Sequence, residues 1–221
     1  MIVTSLSIVT SLPGEAEMTT APMTPAATSA TPTGGRANQR KRTHDAVVRA
    51  ATELMLTGRE VTMPEIAAAA LVSEAPAYRY FPDLATLLRE AMADQLPDPA
   101  EALAPVSGSA DPAERVAAAT EYLMRLVLER QGAVRAMIAA TITKPGGTAT
   151  RPALRFGLID HALAPFGGID EDTLARLKLG LAVIVSAEAL FSLTDLHGLD
   201  PEQAIASLVQ TARTFTSALV P

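Results

Sequence analysis

Beyond position 42, apolar residues recur at spacings of three and four along most of the chain, in segments that open on capping residues and close on glycine or proline. Val47, Ala50, Ala51, Leu54 and Met55 predict one face of a helix capped by Thr43 and ending near Gly58. Thr62-Met63-Pro64-Glu65 has the form of a capping box, with proline in the first turn, where its missing N–H costs little. Ser73 is placed to cap a short helix over Glu74–Phe81. Pro82-Asp83 then starts a helix with Leu84, Leu87, Leu88, Ala91 and Met92 on one face, stopped by Pro97 and Pro99.

The same grammar continues to the end. Asp111-Pro112-Ala113-Glu114 joins a cap, an early proline and a capping-box carboxylate at the head of a helix reaching about Arg130. Gln131–Thr143 is the next, closed by Lys144-Pro145-Gly146-Gly147, and Arg151–Pro165 another, ended by Phe166-Gly167-Gly168. Asp170 opens a long helix to about His197, with Gly198 just beyond its end. Asp200-Pro201-Glu202-Gln203 opens the last, to about Val220. No segment alternates with period two. The pattern predicts an all-α chain of about nine helices.

Composition narrows function by exclusion. The 221 residues are 48% hydrophobic but only 4% aromatic, and none is Cys, which removes disulfides, Cys-ligated zinc, iron–sulfur clusters and thiol catalysis. Residues 1–35 hold no Lys or Arg and have Pro at 13, 22, 25 and 32, so this segment is expected to be a disordered extension without the basic start of a signal peptide. Met18 and Met23 are candidate alternative starts. The longest apolar run, Leu177–Leu193, is interrupted by Lys178, Gly180 and Glu188, short of the roughly 18 residues of a membrane span. A cytoplasmic protein without a membrane partner is expected. The net charge of −6 leaves nucleic-acid attraction to a local patch. With no Gly-rich phosphate loop, clustered His/carboxylate set or nucleophile motif, no catalytic residue, cofactor or metal is expected. His161, beside Asp160, lacks a partner one turn away; His197 suits a last helical turn, and His44 sits in a basic segment.

Function concentrates at Thr62–Phe81. Two short helices joined by a tight turn need a small residue at their crossing, and Ala67 supplies it. Ile66, Ala70, Val72, Ala77 and Tyr80 anchor the pair, Ser73 caps its second helix, and Glu74, Ala75, Pro76, Tyr78 and Arg79 form the outward face. These residues, with Thr43–Ala51 before them and Tyr78-Arg79-Tyr80-Phe81 and Leu87-Leu88 after, resemble the DNA-binding part of the tetracycline-repressor (TetR) family over about residues 40–96. The resemblance implies a three-helix helix-turn-helix domain over 36–97 and a larger helical effector-binding and dimerisation domain over 98–221. It implies DNA contacts by Arg40, Lys41, Arg42, Thr62, Ser73, Glu74, Ala75, Pro76, Tyr78 and Arg79. It also implies a partly hollow second domain, with Tyr122, Met137, Thr141, Phe156, Ile184, Glu188 and Phe191 as candidate lining for a small-molecule effector of unknown identity. The implied assembly is a homodimer through the last two helices, acting as a repressor on double-stranded DNA with a near-palindromic operator.

Several positions depart from the family. Leu71 stands where glycine is usual, and a non-Gly residue at positive φ is strained by about 1 kcal/mol or more. Leu84 replaces a usual Lys, Pro64 stands where some members have Arg, and Glu74 sets a carboxylate on the DNA face. Residues 36–97 carry eight basic and eight acidic side chains, so phosphate attraction falls mainly to Arg36, Arg40, Lys41, Arg42 and Arg79. Glu188 interrupts an apolar stripe of Leu174, Leu177, Leu181, Ile184 and Phe191; an ion pair or exposed edge accounts for it, or a hydrogen bond to an effector or across a dimer. Leu179, Val183 and Leu190 run beside that stripe, and Ile205, Leu208, Ala212, Phe215 and Leu219 mark the last helix, so a surplus apolar face is expected to need a partner. Two other readings compete: a helical small-molecule-binding protein with a degenerate DNA-binding domain, and an all-helical interaction scaffold.

Overall fold

The computed structural model describes residues 33–143 and 153–220. The expectations for residues 1–32, for the closing turn after Thr143 and for Arg151 as a helix start lie outside them. Among the described residues the chain is all-α, with no strand.

Its first half holds α1 (Thr33–Met55), α2 (Met63–Ala69), α3 (Glu74–Tyr80), α4 (Leu84–Ala93) and a one-turn α5 (Pro99–Ala102). Then follow α6 (Pro112–Glu129), α7 (Gln131–Thr143), α8 (Leu154–Leu163), α9 (Glu171–Ile184), α10 (Ala187–Phe191) and α11 (Pro201–Leu219). A 3₁₀ turn at Ala104–Val106 and a π-helical turn at Ser192–Leu196 complete the described elements. Caps follow the sequence closely. Asp83, Asp98, Asp111, Asp170 and Asp200 each accept a main-chain N–H in the first turn of the helix they precede. At α6 the capping box is replaced: Glu114 takes the Ser109 hydroxyl, and the Asp111 N–H donates to that same hydroxyl.

Three expectations are corrected. Helix α1 begins ten residues before Thr43, which does not cap it; the Thr43 hydroxyl donates back to the Gln39 carbonyl at 3.1 Å. Gln39, Arg40, Lys41 and Arg42 are good helix formers, so the basic segment propagates the helix instead of preceding it. Pro99, read as a stop, starts α5. The single helix expected over 170–197 is broken at Val185-Ser186, where α9 and the following segment meet at 43°. Val183, Ile184 and Val185 lose rotamer freedom in a helix, while Ser186 is a strong cap: its hydroxyl accepts the Ala189 N–H at 3.1 Å and donates to the Val183 carbonyl at 2.7 Å. Split α9–α10 and the added α5 account for eleven helices among the described residues where about nine were expected.

Helix α6 is the axis of the larger part, packed most extensively on α11 and also on α8, while α1 lies on α4, α2 and α3. Among the described residues, the buried apolar side chains other than Ala113 and Ala117 form one continuous cluster from Val47 to Ala212. Inside it Arg115 is 2% exposed and makes no ion pair among the described residues. Its guanidinium donates instead to the carbonyls of Ala162, His161, Val106 and Ser107 at 2.8–3.1 Å, collecting the open ends of α8 and the 3₁₀ turn. No single helix among the described residues is long and apolar enough to cross a membrane; α9 with its continuation passes such a test only as a bent pair.

Candidate functional site

The α2–α3 unit is built from both ends. Thr62 forms the expected capping box: its hydroxyl accepts the Glu65 N–H at 3.4 Å, and the Glu65 carboxylate accepts the Thr62 N–H at 2.9 Å and its hydroxyl at 2.8 Å. These bonds to Thr62 hold the Glu65 carboxyl below the usual carboxylate range. Ile66, Ala67 and Ala77 are buried at the crossing, and Ala70, Val72 and Tyr80 are half-buried beside it. Leu71 adopts φ 56°, the left-handed conformation that glycine ordinarily supplies, and its side chain is 92% exposed, so no packing offsets the strain. Ser73 has the cap conformation but makes no side-chain cap bond.

The outward face of α3 is open. Glu74, Ala75, Tyr78 and Arg79 are exposed, Pro76 is half-buried, and Arg79 lies 5.2 Å from the centroid of the Tyr80 ring. Arg40, Lys41 and Arg42 are exposed on the leading turns of α1, where Lys41 also pairs with Asp45 at 2.6 Å and holds its carboxyl below the usual range. His44 is a brace and not part of a loose arm: Nε2 lies 3.1 Å from Glu90 on α4, and the ring lies 5.0 Å from Phe81. Sequence periodicity gave no sign of this contact, because Glu90 is 46 positions away.

Helix α4 leads from this unit into the larger part. Ala85, Leu87 and Leu88 are buried, and Met92, with Leu96 beyond the helix end, lines a cavity of about 250 Å³. The apolar remainder comes chiefly from Leu123, Leu126 and Val127 of α6 and Val134, Met137 and Ile138 of α7. Arg155, Ser186 and Glu188 supply its polar groups. Of the expected lining, Met137, Phe156 and Glu188 are present. Tyr122, Thr141, Ile184 and Phe191 lie outside: the Thr141 hydroxyl turns back to the Met137 and Ile138 carbonyls, and Phe191 stacks 3.8 Å from the Arg135 guanidinium. Ser186 reaches the cavity only because the helix breaks there, which a continuous-helix reading could not reveal. Arg135 also pairs with Asp195, which ties α7 to the π-helical turn and holds that carboxyl at about 2.

On the last two helices the expected surplus face is divided. Leu190, Ile205, Leu208 and Ala212 are buried in the core, and Phe215 packs over Gly180, where a Cβ would stand 2.3 Å from its ring. The outer side of α11 carries Ala206, Ser207, Gln210, Thr214 and Ser217, not an apolar stripe. Leu179 and Val183 of α9 remain open, at 71% and 72% exposure. No group of three His, Asp or Glu side chains among the described residues is placed to hold a metal ion.

The geometry therefore defines an all-helical chain that holds a helix-turn-helix pair and, in its larger part, an apolar cavity. The chain is similar to a TetR transcriptional regulator from Rhodococcus sp. RHA1, at 22% identity and a TM-score of 0.43, over 82% of this chain and 99% of that one. No family model and no curated protein matches it.

Proposed function

We propose that this chain is a DNA-binding transcriptional regulator, a cytoplasmic homodimeric repressor that a small-molecule effector releases from a near-palindromic operator. The observation that carries the reading is the α2–α3 pair: its crossing is buried, its turn has the left-handed residue such a pair requires, and its outer face is uncovered. Residues 36–97 act as the DNA-reading part and 98–221 as the effector and dimer part. Arg40, Lys41, Arg42, Thr62 and Tyr78 hold phosphates, and Ser73, Glu74, Ala75, Pro76 and Arg79 lie along the groove. Thr62 reaches phosphate only with a hydroxyl already engaged by Glu65.

The cavity is the effector site. Its volume is just under the usual range for drug-sized ligands and its wall is mainly apolar, which favours a compact apolar molecule with one polar group toward Arg155, Ser186 and Glu188. Helix α4 packs on α1 and lends Met92 to the cavity, so an occupant that displaces Met92 shifts α4 against α1, the helix on which α2 and α3 rest. Effector and operator then oppose each other through linkage. Dimerisation uses the face of Leu179 and Val183 on α9, with the small-residue side of α11 beside it.

Selection of duplexes from a random pool, followed by mobility shift, tests the reading. Wild-type protein is expected to enrich a near-palindrome and to lose affinity steeply with salt. Tyr78→Phe and Arg79→Ala weaken binding while leaving the helical content intact. Failure to enrich any sequence overturns the regulator reading and favours a small-molecule-binding protein whose helix-turn-helix is degenerate. Sequence-specific binding undiminished by both substitutions overturns the contact face.

A further inference from the structure

The exposed side of α3 is chemically sparse, and that sparseness singles out one residue. Ala77 is buried, Pro76 and Tyr80 are half-buried, and Ala75 has no polar side-chain atom. Arg79 lies in the last turn, with its guanidinium beside the Tyr80 ring. Ser73, before the helix, carries a hydroxyl that both donates and accepts, so it separates base pairs poorly. Within the first turn of α3, Glu74 is the side chain that hydrogen-bonds in only one sense. It is exposed, and it enters no hydrogen bond or ion pair among the described residues.

An ionised carboxylate accepts and cannot donate. In the major groove guanine shows two acceptors and thymine one, and adenine sets an acceptor beside its single donor; cytosine alone presents an amino group without an adjoining ring acceptor. A carboxylate held against the groove is therefore opposed by guanine and thymine and matched by cytosine. Its repulsion from phosphate is the same on every sequence, whereas its hydrogen bond forms at one base pair. The carboxylate thus lowers affinity for random duplex and widens the gap to the cognate site.

We propose that Glu74 is a specificity-determining residue that accepts a hydrogen bond from the N4 amino group of a cytosine in each operator half-site. The inference rests on the DNA-binding reading above and adds the identity of one base pair. With the full chain, duplexes are selected from a random pool by wild type, Glu74→Gln and Glu74→Ala, and affinities for single base-pair variants are read by fluorescence anisotropy at fixed salt. Wild type is expected to require one C·G pair per half-site and to lose about 5- to 150-fold when it is exchanged. Glu74→Gln is expected to move that preference to adenine, whose N6 and N7 a carboxamide matches, and to bind random duplex more tightly than wild type. Glu74→Ala loses the preference at that position and keeps the others. Identical consensus and discrimination in all three proteins, or a wild-type site without the C·G pair, overturns the proposal while leaving DNA binding intact. A wild-type protein that enriches no sequence overturns both.

Discussion

The main-chain nitrogen of Gly132 donates to the carbonyl oxygen of Gly58 at 3.2 Å, joining the start of α7 to the turn between α1 and α2. The approach is so close that a Cβ on Gly132 would stand 1.9 Å from the Arg59 carbonyl oxygen and 2.3 Å from its carbon. Backbone meets backbone here, and neither side has a flexible atom to withdraw. Gly58 completes the contact from a φ of 70°. Gly132→Ala should therefore destabilise the chain by about 3 kcal/mol, at the upper end of overpacking costs. Gly58→Ala should cost about 1 to 2 kcal/mol through backbone conformation. Urea unfolding of both variants checks the order, and equal effects would argue against the crowding at Gly132.

Leu71 offers the opposite case. Its side chain touches little and its backbone is strained, so Leu71→Gly should raise stability by about 1 kcal/mol despite the added freedom of glycine in the unfolded chain. An unchanged or lower urea midpoint would show that the exposed leucine is held by contacts other than those described.

Arg115 is expected to be the most sensitive charged residue in the larger part. Arg115→Met leaves the carbonyls of Ala162, His161, Val106 and Ser107 without their shared donor, a loss of about 3 kcal/mol or more. Arg115→Lys keeps the charge but not the planar fork, so it should recover only part of that loss. Thermal unfolding of the two variants gives the comparison.

The Arg135–Asp195 pair gives a pH signature. The folded-state pKa of Asp195 is lowered from 3.8 to about 2, chiefly by the hydrogen bond from Arg135. A depressed carboxyl contributes stability that is complete above its unfolded pKa and disappears as pH falls toward the folded value. The stability difference between wild type and Asp195→Asn should be constant above about pH 5 and shrink between about pH 4 and 2. A difference that persists at pH 2, measured by chemical unfolding, would contradict the pairing.

For the proposed dimer, the double substitution Leu179→Glu with Val183→Glu places two carboxylates on the open face of α9 without entering the core. Sedimentation should report a folded monomer, with operator affinity much reduced. A variant that stays dimeric would move the interface elsewhere.

Local signals were legible in the sequence wherever a cap, a proline or a glycine acts on its immediate neighbours. Thr62-x-x-Glu65, Asp170, Asp200 and Gly198 mark element ends that the structure has at those positions. The break at Ser186 was written in the same language, as a β-branched run followed by a capping serine, but the helical spacing that runs on from Leu174 to Phe191 masked it. Long-range contacts had no such record. That His44 meets Glu90, that Arg115 meets Ala162 and that Gly132 presses on Arg59 depends on how helices cross, which one-dimensional periodicity does not encode. For the same reason the cavity took only three of its seven expected residues: spacing identifies inward faces but not which of them stop short of meeting.

The manner in which Arg115 is satisfied also sets the order in which this molecule yields to acid. A cation whose partners are amide oxygens loses none of them to protonation, so the Arg115 bonds that join α6 to α8 do not themselves change on acidification. The peripheral fasteners at Glu65 and Asp195 are carboxylates and let go as they neutralise. Acidification should consequently loosen the rim of the protein first, while its middle stays assembled.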